Sequence, residues 1–153
     1  YREGGAMIGE ELLSAWLELT SVINNQRLVD RQAGLSFNEA MICGLLAGAQ
    51  RQGEFLTASD LCARTRILKS QMNAILRVLE QKGAVSRQRS RRDRRLVELR
   101  LLPEGLACYE ETHRRVLAVA DALAEELGED AVRTLLPLLR RVADIFDKTC
   151  QEV

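Results

Sequence analysis

Residues 64–100 read RTRILKSQMNAILRVLEQKGAVSRQRSRRDRRLVELR, a helical pattern followed by a glycine and two strand-like runs. This segment holds twelve Arg and Lys residues and three acidic ones, a net charge of +9, whereas the whole chain is neutral with 22 residues of each sign. A concentrated basic segment in an otherwise acidic chain is expected of a surface that binds nucleic acid, because cations that neutralise phosphates release condensed counterions. The alternative is a solvated charged face without a partner.

The helical part of this segment follows a shorter helical pattern. Four apolar residues at helical spacing predict a helix over 69–81, and Gly83 then lies where a left-handed residue ends a helix. A shorter helix is predicted from residue 58 to about residue 64, with Thr57 as N-cap and Asp60 as its partner. Two helices joined by a short turn, with polar and basic residues on the outer face of the second, are typical of a helix-turn-helix. The apolar residues of the second helix are Met72, Ile75, Leu76 and Leu79.

Two strand-like runs follow this helix, over 84–89 and 96–101. In the second run apolar and charged residues alternate, which predicts one buried face and one face in water. Residues 90–94, SRRDR, form a polar tip between the runs. A β-hairpin that directly follows the second helix of a helix-turn-helix is called a wing. The residues expected on its buried face are Val97, Leu99 and Leu101.

A capping box begins the helix that precedes the helix-turn-helix. Ser36 and Glu39 have the spacing at which each side chain bonds the backbone N–H of the other residue. The helix is therefore predicted to start at Phe37 and to fade around Gln50 to Gly53. Residues 54–56, which follow it, are long enough only for a single strand pairing.

Longer helices flank this region. Apolar residues at helical spacing predict a first helix from about residue 8 to about residue 29, and Pro103 is well placed to begin a helix that runs to about residue 127. A last helix is predicted over about 130–150, where Pro137 should kink it or remove a turn. One small domain cannot cover a long terminal helix with an apolar stripe, so we expect a second subunit.

The composition fits one mostly helical domain of 153 residues, with 4% aromatic residues and two prolines. The chain contains no run of 18 apolar residues and no basic segment followed by an apolar one, so we expect a cytoplasmic protein without membrane contact. It also contains no recognisable nucleophile–base pair, phosphate-binding glycine loop or metal-ligand cluster, so we expect no enzymatic activity, no cofactor and no metal.

Five short motifs accompany this order of elements: Leu76-x-x-Leu79-Glu80-x-Lys82-Gly83, Val85-x-Arg87, Asp93-Arg94-Arg95, Leu99-x-Leu101 and Pro103-Glu104-Gly105. Together they resemble the MarR family of dimeric winged-helix transcription regulators. The resemblance covers nearly the whole chain and implies a mainly α fold with a small β-wing. It implies one domain over 1–153, with a winged-helix DNA-binding region at about 36–102 and dimerisation helices at about 8–30 and 103–151.

The helix over 69–81 would then be the recognition helix. Each base pair presents a distinct pattern of donors and acceptors in the major groove, which Gln and Asn match for adenine and Arg matches for guanine. We therefore expect base contacts from Gln71, Asn73 and Arg77 on its exposed face. Lys69 and Ser70 lie near the positive end of the helix and are expected to contact phosphates.

For the wing, the resemblance implies that Arg95 enters the minor groove and that Asp93 orients it. A narrow minor groove has an enhanced negative potential that attracts an arginine. A single acidic residue among so many cations is best explained by an ion pair that holds their geometry. Arg91, Arg92 and Arg94 would contact the DNA backbone.

The chain departs from the resembled family in the turn before the recognition helix. Arg66 and Leu68 stand where many relatives carry a glycine and a capping serine. Because leucine cannot cap a helix, we expect the helix start to shift and the cap to fall to another residue.

The resemblance further implies a transcriptional repressor that acts as a homodimer on a near-palindromic operator in double-stranded DNA. The two recognition helices would lie about one DNA turn apart, roughly 34 Å. Relatives bind small aromatic or phenolic ligands between the dimerisation helices and the winged domain. Here such an effector pocket would be lined by Trp16, Phe37, Met41 and His113.

Two other functions are also consistent with the sequence. The winged-helix dimer could serve as a protein-interaction module or anti-regulator, with the basic wing on an acidic partner. Alternatively, the regulator could sense oxidants through Cys43, Cys62 or Cys108, although the first helix lacks the cysteine that some relatives use for peroxide sensing. The four cysteines are far apart in sequence, and we expect them to be reduced and mostly buried.

Overall fold

A computed structural model describes residues 2–25 and 34–151. Their fold is mainly α with a two-stranded antiparallel wing, as the sequence predicts. The chain divides into two compact units, residues 1–114 and 115–153. The elements are α1 (Arg2–Asn25), α2 (Phe37–Arg51), α3 (Ala58–Thr65), α4 (Lys69–Gln81), β1 (Val85–Arg89), β2 (Val97–Leu101), α5 (Pro103–Leu127) and α6 (Glu129–Gln151).

The terminal helices differ most from their predicted bounds. Helix α1 begins at Arg2, whereas the apolar stripe predicted a start near residue 8. The prediction missed the first turns because their polar and small residues carry no periodic signal. Its predicted end near residue 29 lies outside the described residues. Helix α6 runs unbroken through Pro137, so of the two expected effects the loss of a turn is wrong, and the kink stays a prediction. The proline removes one backbone donor, and the helix continues on both sides of it.

The core lies where α2, α3 and α4 meet the base of the wing. Full burial of one aliphatic side chain there contributes about 1.5–3 kcal/mol. The predicted apolar face of β2 is only partly buried, because Val97 lies beyond the core and is 42% exposed. The largest fully buried side chains are Ile42, Cys43, Leu46, Leu61, Met72, Leu76, Leu79 and Leu99.

Helix caps fix the starts of α2 and α3. The capping box of Ser36 and Glu39 is present, and Thr57 and Asp60 form a second complete box. In the second box the N–H of Thr57 donates to Asp60 Oδ2 at 2.8 Å, and the N–H of Asp60 donates to Thr57 Oγ1 at 3.2 Å. The expected shift of the α4 cap is wrong: Leu68 is itself the N-cap and makes no side-chain bond.

A partly buried ion pair joins the start of α2 to the end of α4. The ammonium of Lys82 lies 2.5 Å from the carboxylate of Glu39, which is 8% exposed, and donates to the carbonyl of Gly34. The same carboxylate accepts the N–H of Ser36 in the capping box. These bonds compensate much of the cost of burying the carboxylate, and they fix the C-terminal end of α4 relative to α2.

The outer edge of β2 is closed by α2 and by the loop after it. The N–H of Leu99 donates to the carbonyl of Leu56 at 2.8 Å in a single-residue bridge. The side-chain amide of Gln50 binds the backbone of Leu101 at two points, accepting its N–H at 2.6 Å and donating to its carbonyl at 3.4 Å. The wing is thereby attached to α2 at its root.

Helices α1 and α6 each expose large apolar side chains. In α1 these include Ile8, Leu12 and Trp16, and in α6 they include Leu139, Ile145 and Phe146. Exposed apolar faces of this extent are typical of surfaces that become covered in an assembly or by a ligand. Across the described residues, no helix is both long enough and apolar enough to cross a membrane.

Candidate nucleic-acid interface

Helix α4 is held by its apolar face and presents its polar face to solvent. On the apolar face of α4 the side chains of Met72, Leu76 and Leu79 are fully buried. On the opposite side Lys69, Ser70, Gln71 and Arg77 are exposed, whereas Asn73 is half-buried. The predicted recognition residues therefore share one helix, with four of them exposed and Asn73 partly accessible to a ligand.

The turn between α3 and α4 has a defined hydrogen-bond pattern. The hydroxyl of Thr65 donates to the carbonyl of Leu61 at 2.7 Å and accepts the N–H of Ile67 at 3.3 Å. Arg66 follows α3 in the left-handed conformation, with φ of 61°, and its N–H donates to the carbonyl of Cys62 at 2.9 Å. This geometry sets the angle at which α4 leaves α3.

The wing tip is organised by Ser90, which sequence reasoning did not single out. Its side chain is 4% exposed, and its hydroxyl accepts the backbone N–H groups of Arg92 at 3.2 Å and Asp93 at 3.3 Å. Its own N–H donates to the carbonyl of Leu96 at 2.9 Å and closes the hairpin. The available signal was a serine at the start of a tip, where a hydroxyl can bond the backbone two or three residues on.

Asp93 contacts Arg95 through the backbone instead of the expected ion pair. The N–H of Arg95 donates to Asp93 Oδ1 at 2.9 Å. The aspartate therefore fixes the main chain from which the arginine projects, and leaves the guanidinium for another partner. All five predicted wing residues are exposed, namely Arg91, Arg92, Asp93, Arg94 and Arg95. Arg95 also lines a groove of about 440 Å³ together with Thr57, the N-cap of α3, and Ser59 in its first turn.

Two basic residues of the wing make contacts with other residues of the protein. Arg87 of β1 pairs with Glu80 of α4, with Nε 3.1 Å from Oε2, and so links the wing to α4. The guanidinium of Arg100 lies 4.3 Å from the centre of the Phe55 ring, a cation–π contact, and 3.8 Å from the carboxylate of Glu98. The charge count of the sequence therefore overstates the cationic surface that is available to a ligand.

Replacing Ser90 with alanine should weaken DNA binding by about 1 kcal/mol, roughly fivefold, because the tip loses the acceptor that fixes two of its N–H groups. The unfolding midpoint should fall by no more than about 3 °C, since water can solvate the exposed tip. Titration of a labelled duplex measures the first effect and thermal unfolding the second. Ser14→Ala makes the same chemical change at an exposed residue of α1, and equal DNA affinities of the two variants would contradict the role of Ser90.

A second cavity lies between α2, the end of β2 and α5. It has a volume of about 480 Å³. Within it the hydroxyl of Tyr109 lies 3.5 Å from His113 Nδ1, and the two ring centres are 5.4 Å apart. Of the predicted effector residues only His113 lines this cavity, while Trp16 and Phe37 are exposed elsewhere and Met41 is half-buried. The lining residues are Ala47, Gln50, Arg51, Leu101, Leu102, Leu106, Tyr109, Glu110 and His113.

The cysteines differ in burial more than expected. Cys43 is buried, Cys62 and Cys108 are half-buried, and Cys150 is exposed. Burial raises the pKa of the Cys43 thiol to about 12, with the nearby Glu39 carboxylate acting in the same direction. Because only the thiolate is nucleophilic, Cys43 is a poor candidate for oxidant sensing.

We therefore expect a thiol reagent such as DTNB at pH 8 to label Cys150 first and Cys43 only after unfolding. A Cys43→Ala variant should show the same number of fast-reacting thiols as the native protein, and one fewer fast thiol would contradict this.

Above pH 9 the free energy of unfolding should decrease, because the Cys43 thiol then ionises only in the unfolded chain. Denaturant titrations at pH 8 and pH 10 measure that change, with Cys43→Ala as the reference.

An exposed recognition helix followed by an ordered basic wing defines a winged helix-turn-helix protein. The sequence model of the MarR family matches residues 33–96. NadR, solved in complex with 4-hydroxyphenylacetate, is 32% identical to this chain, and the match covers 90% of this chain and 93% of NadR with a TM-score of 0.65. The chain belongs to the MarR family, whose members are DNA-binding transcription regulators.

Two DNA complexes are also similar to the chain. The transcriptional repressor CouR, bound to a 23-mer duplex, is 26% identical, with 88% of this chain and 94% of CouR covered and a TM-score of 0.71. MepR of S. aureus, solved in complex with DNA, is 18% identical, with 87% of this chain and 95% of MepR covered and a TM-score of 0.72. At this identity the similarity concerns the fold alone. Among curated protein sequences, none matches this chain.

Proposed function

We propose that this protein is a transcriptional repressor that binds a near-palindromic operator as a homodimer. One observation carries the proposal: the exposed polar face of α4 is followed by a basic wing tip whose backbone is ordered by Ser90 and Asp93. An ordered tip can insert a side chain into a groove, whereas a solvated charge run needs no such order. CouR, a relative with 26% identity, is a repressor solved on DNA, which supports the proposal.

The proposed contacts divide between the two grooves. On α4, Gln71, Asn73 and Arg77 read base edges in the major groove. Lys69 and Ser70, at the start of α4, bind phosphates. In the wing, Arg95 enters the minor groove, Asp93 fixes its backbone, and Arg91, Arg92 and Arg94 bind the DNA backbone.

The homodimer rests on the apolar faces of the terminal helices. A stable dimer buries about 800 Å² or more on each subunit, and the exposed apolar side chains along α1 and α6 supply suitable surface. Two-fold symmetry then presents two copies of α4 to successive major grooves. Their separation of roughly 34 Å is the reason for expecting an inverted repeat.

We also propose that a small aromatic or phenolic acid releases the repressor from DNA. Arg51, Tyr109 and His113 line the 480 Å³ cavity together with apolar residues, a combination suited to a ring that carries an acidic group. NadR, at 32% identity, was solved with 4-hydroxyphenylacetate, a ligand of this chemistry. Gln50 lines the cavity and also holds Leu101 of β2, so an occupant would touch the attachment of the wing.

Selection of bound duplexes from a random-sequence pool tests the central claim. We expect an inverted repeat to be enriched, affinity to decrease steeply with salt, and light scattering to give two chains per duplex. Titration of the selected complex with 4-hydroxyphenylacetate then tests release. If no sequence is enriched and only weak binding of any DNA is seen, the proposed function fails.

A further inference from the structure

Glu80 is an acidic side chain in the most basic part of the chain. Residues 64–100 hold three acidic residues against twelve Arg and Lys, and Glu80 is one of the three. It lies three positions after Arg77 in α4, so the two side chains are neighbours on one side of the helix. A carboxylate beside an arginine that is proposed to contact bases repels phosphates. Electrostatics alone therefore predicts that Glu80 weakens DNA binding.

The carboxylate of Glu80 joins α4 to the wing. Its Oε2 lies 3.1 Å from Nε of Arg87 in β1, and both side chains are 34% exposed. Arg87 is directly opposite Leu99 in the register of β1 and β2, so the two side chains start from the same face of the hairpin. Leu99 is buried in the core. The ion pair therefore lies on the face of the wing that is turned towards the helices.

The two strands of the wing are held in different ways. The outer edge of β2 is bonded to Leu56 and Gln50, whereas β1 is buried only at its first residue, Val85. A hairpin that is bonded along one edge can rotate about that edge. Because the pair of Arg87 with Glu80 holds the other strand, it limits this rotation, and with it the distance between the wing tip and α4.

We infer that Glu80 is a positioning residue for DNA binding, which acts through Arg87 to hold the wing where α4 and Arg95 can occupy neighbouring grooves at the same time. Glu80 itself contacts no DNA in this arrangement. A wing that already has the bound orientation loses no affinity to the selection of that orientation, whereas a rotating wing does. The inference rests on the proposed DNA-binding function and gives an acidic residue a favourable role in it.

The test replaces Glu80 with alanine, which removes the pair and favours the helix. A surface ion pair favours its own geometry by a factor of at most about five. A homodimer contains two such pairs, so operator binding should weaken by about three- to 25-fold. The slope of log affinity against log salt concentration should not decrease in magnitude, because no phosphate contact is lost. The unfolding midpoint should change by less than about 3 °C, since the pair is partly exposed.

A matched control separates positioning from charge. Glu98→Gln also removes a negative charge from the wing, but the partner of Glu98 is Arg100 of the same strand, at 3.8 Å. That pair does not connect the wing to α4. We therefore expect Glu98→Gln to bind the operator as tightly as the native protein or more tightly.

Two double variants show which groups Glu80 acts through. Glu80→Ala combined with Arg87→Ala should bind no more weakly than Arg87→Ala alone, because either change removes the same pair. In an Arg95→Ala background, Glu80→Ala should cost less than about twofold, since a wing without its minor-groove arginine gains little from being held. A purely structural role of Glu80 would lower the affinity equally with and without Arg95.

The outcomes distinguish this inference from the proposed function. If the native protein binds its operator and Glu80→Ala binds it equally or more tightly, the inference is overturned and the regulator stands. A loss of affinity that persists in full without Arg95 would also overturn it. If the native protein enriches no sequence and binds DNA only weakly, both proposals fall.

Discussion

Replacing Arg95 with alanine is expected to weaken binding of the selected operator by about 1–3 kcal/mol, a loss of roughly fivefold to 150-fold. Arg95 projects from a backbone that the carboxylate of Asp93 fixes at 2.9 Å, and its guanidinium is exposed. Because its backbone is already fixed, Arg95 has only side-chain freedom to lose on entering a narrow minor groove, where the negative potential is strongest.

Arg94→Ala is the matched control, because it removes the same charge from the adjacent exposed position of the tip. We expect it to cost less than Arg95→Ala and to affect operator and unrelated duplexes alike, whereas Arg95→Ala should mainly affect sites with a narrow minor groove under the wing. Fluorescence anisotropy on duplexes with and without an A-tract at that position measures the difference. Equal losses for the two variants on both duplexes would refute the special role of Arg95.

Replacing Gly105 with alanine is expected to destabilise the protein by about 2–4 kcal/mol, at the upper end of the range for overpacked sites. A Cβ at this position would lie 2.3 Å from the carbonyl oxygen of Ala84, a backbone atom that cannot rotate away. The same carbonyl accepts the N–H of Leu102 at 2.8 Å, so a shift of Ala84 would also disturb the junction between β2 and α5.

Gly48→Ala provides the opposite case within α2. A Cβ at Gly48 would meet nothing within 4 Å, and alanine in a helix is favoured over glycine by about 0.5–1 kcal/mol. In urea unfolding, the free energy of unfolding should therefore decrease for Gly105→Ala and increase for Gly48→Ala, although the two substitutions are chemically identical. A Gly105→Ala protein as stable as the native one would show that the first turn of α5 can move away from Ala84 at little cost.

Local chemistry made the centre of the fold predictable from the sequence. The bounds of α4 at Lys69 and Gln81 follow from four apolar residues at helical spacing and a left-handed glycine two positions beyond. The capping box at Ser36 needs only residues three positions apart. Such signals are complete within a few residues, so no tertiary information is required to interpret them.

The features that the sequence did not reveal depend on residues distant in the chain or on atomic geometry. The cavity pairs Arg51 of α2 with Tyr109 of α5, and no local pattern connects them. The bond of Asp93 to the backbone N–H of Arg95 has the same sequence signature as the ion pair that we expected. The DNA contacts themselves, like the dimer, remain predictions that rest on residues placed together on α4 and the wing.

The attachment of β2 to its neighbours has a consequence for how copies of this protein behave towards each other. A strand edge with free N–H groups can pair with the edge of another chain and start aggregation. Here the outward N–H of Leu99 is occupied by Leu56, and that of Leu101 by the side chain of Gln50. Leu56 and Gln50 thus occupy the N–H groups that a further strand would bind, and they keep the base of this small sheet from serving as a template for β-pairing between molecules.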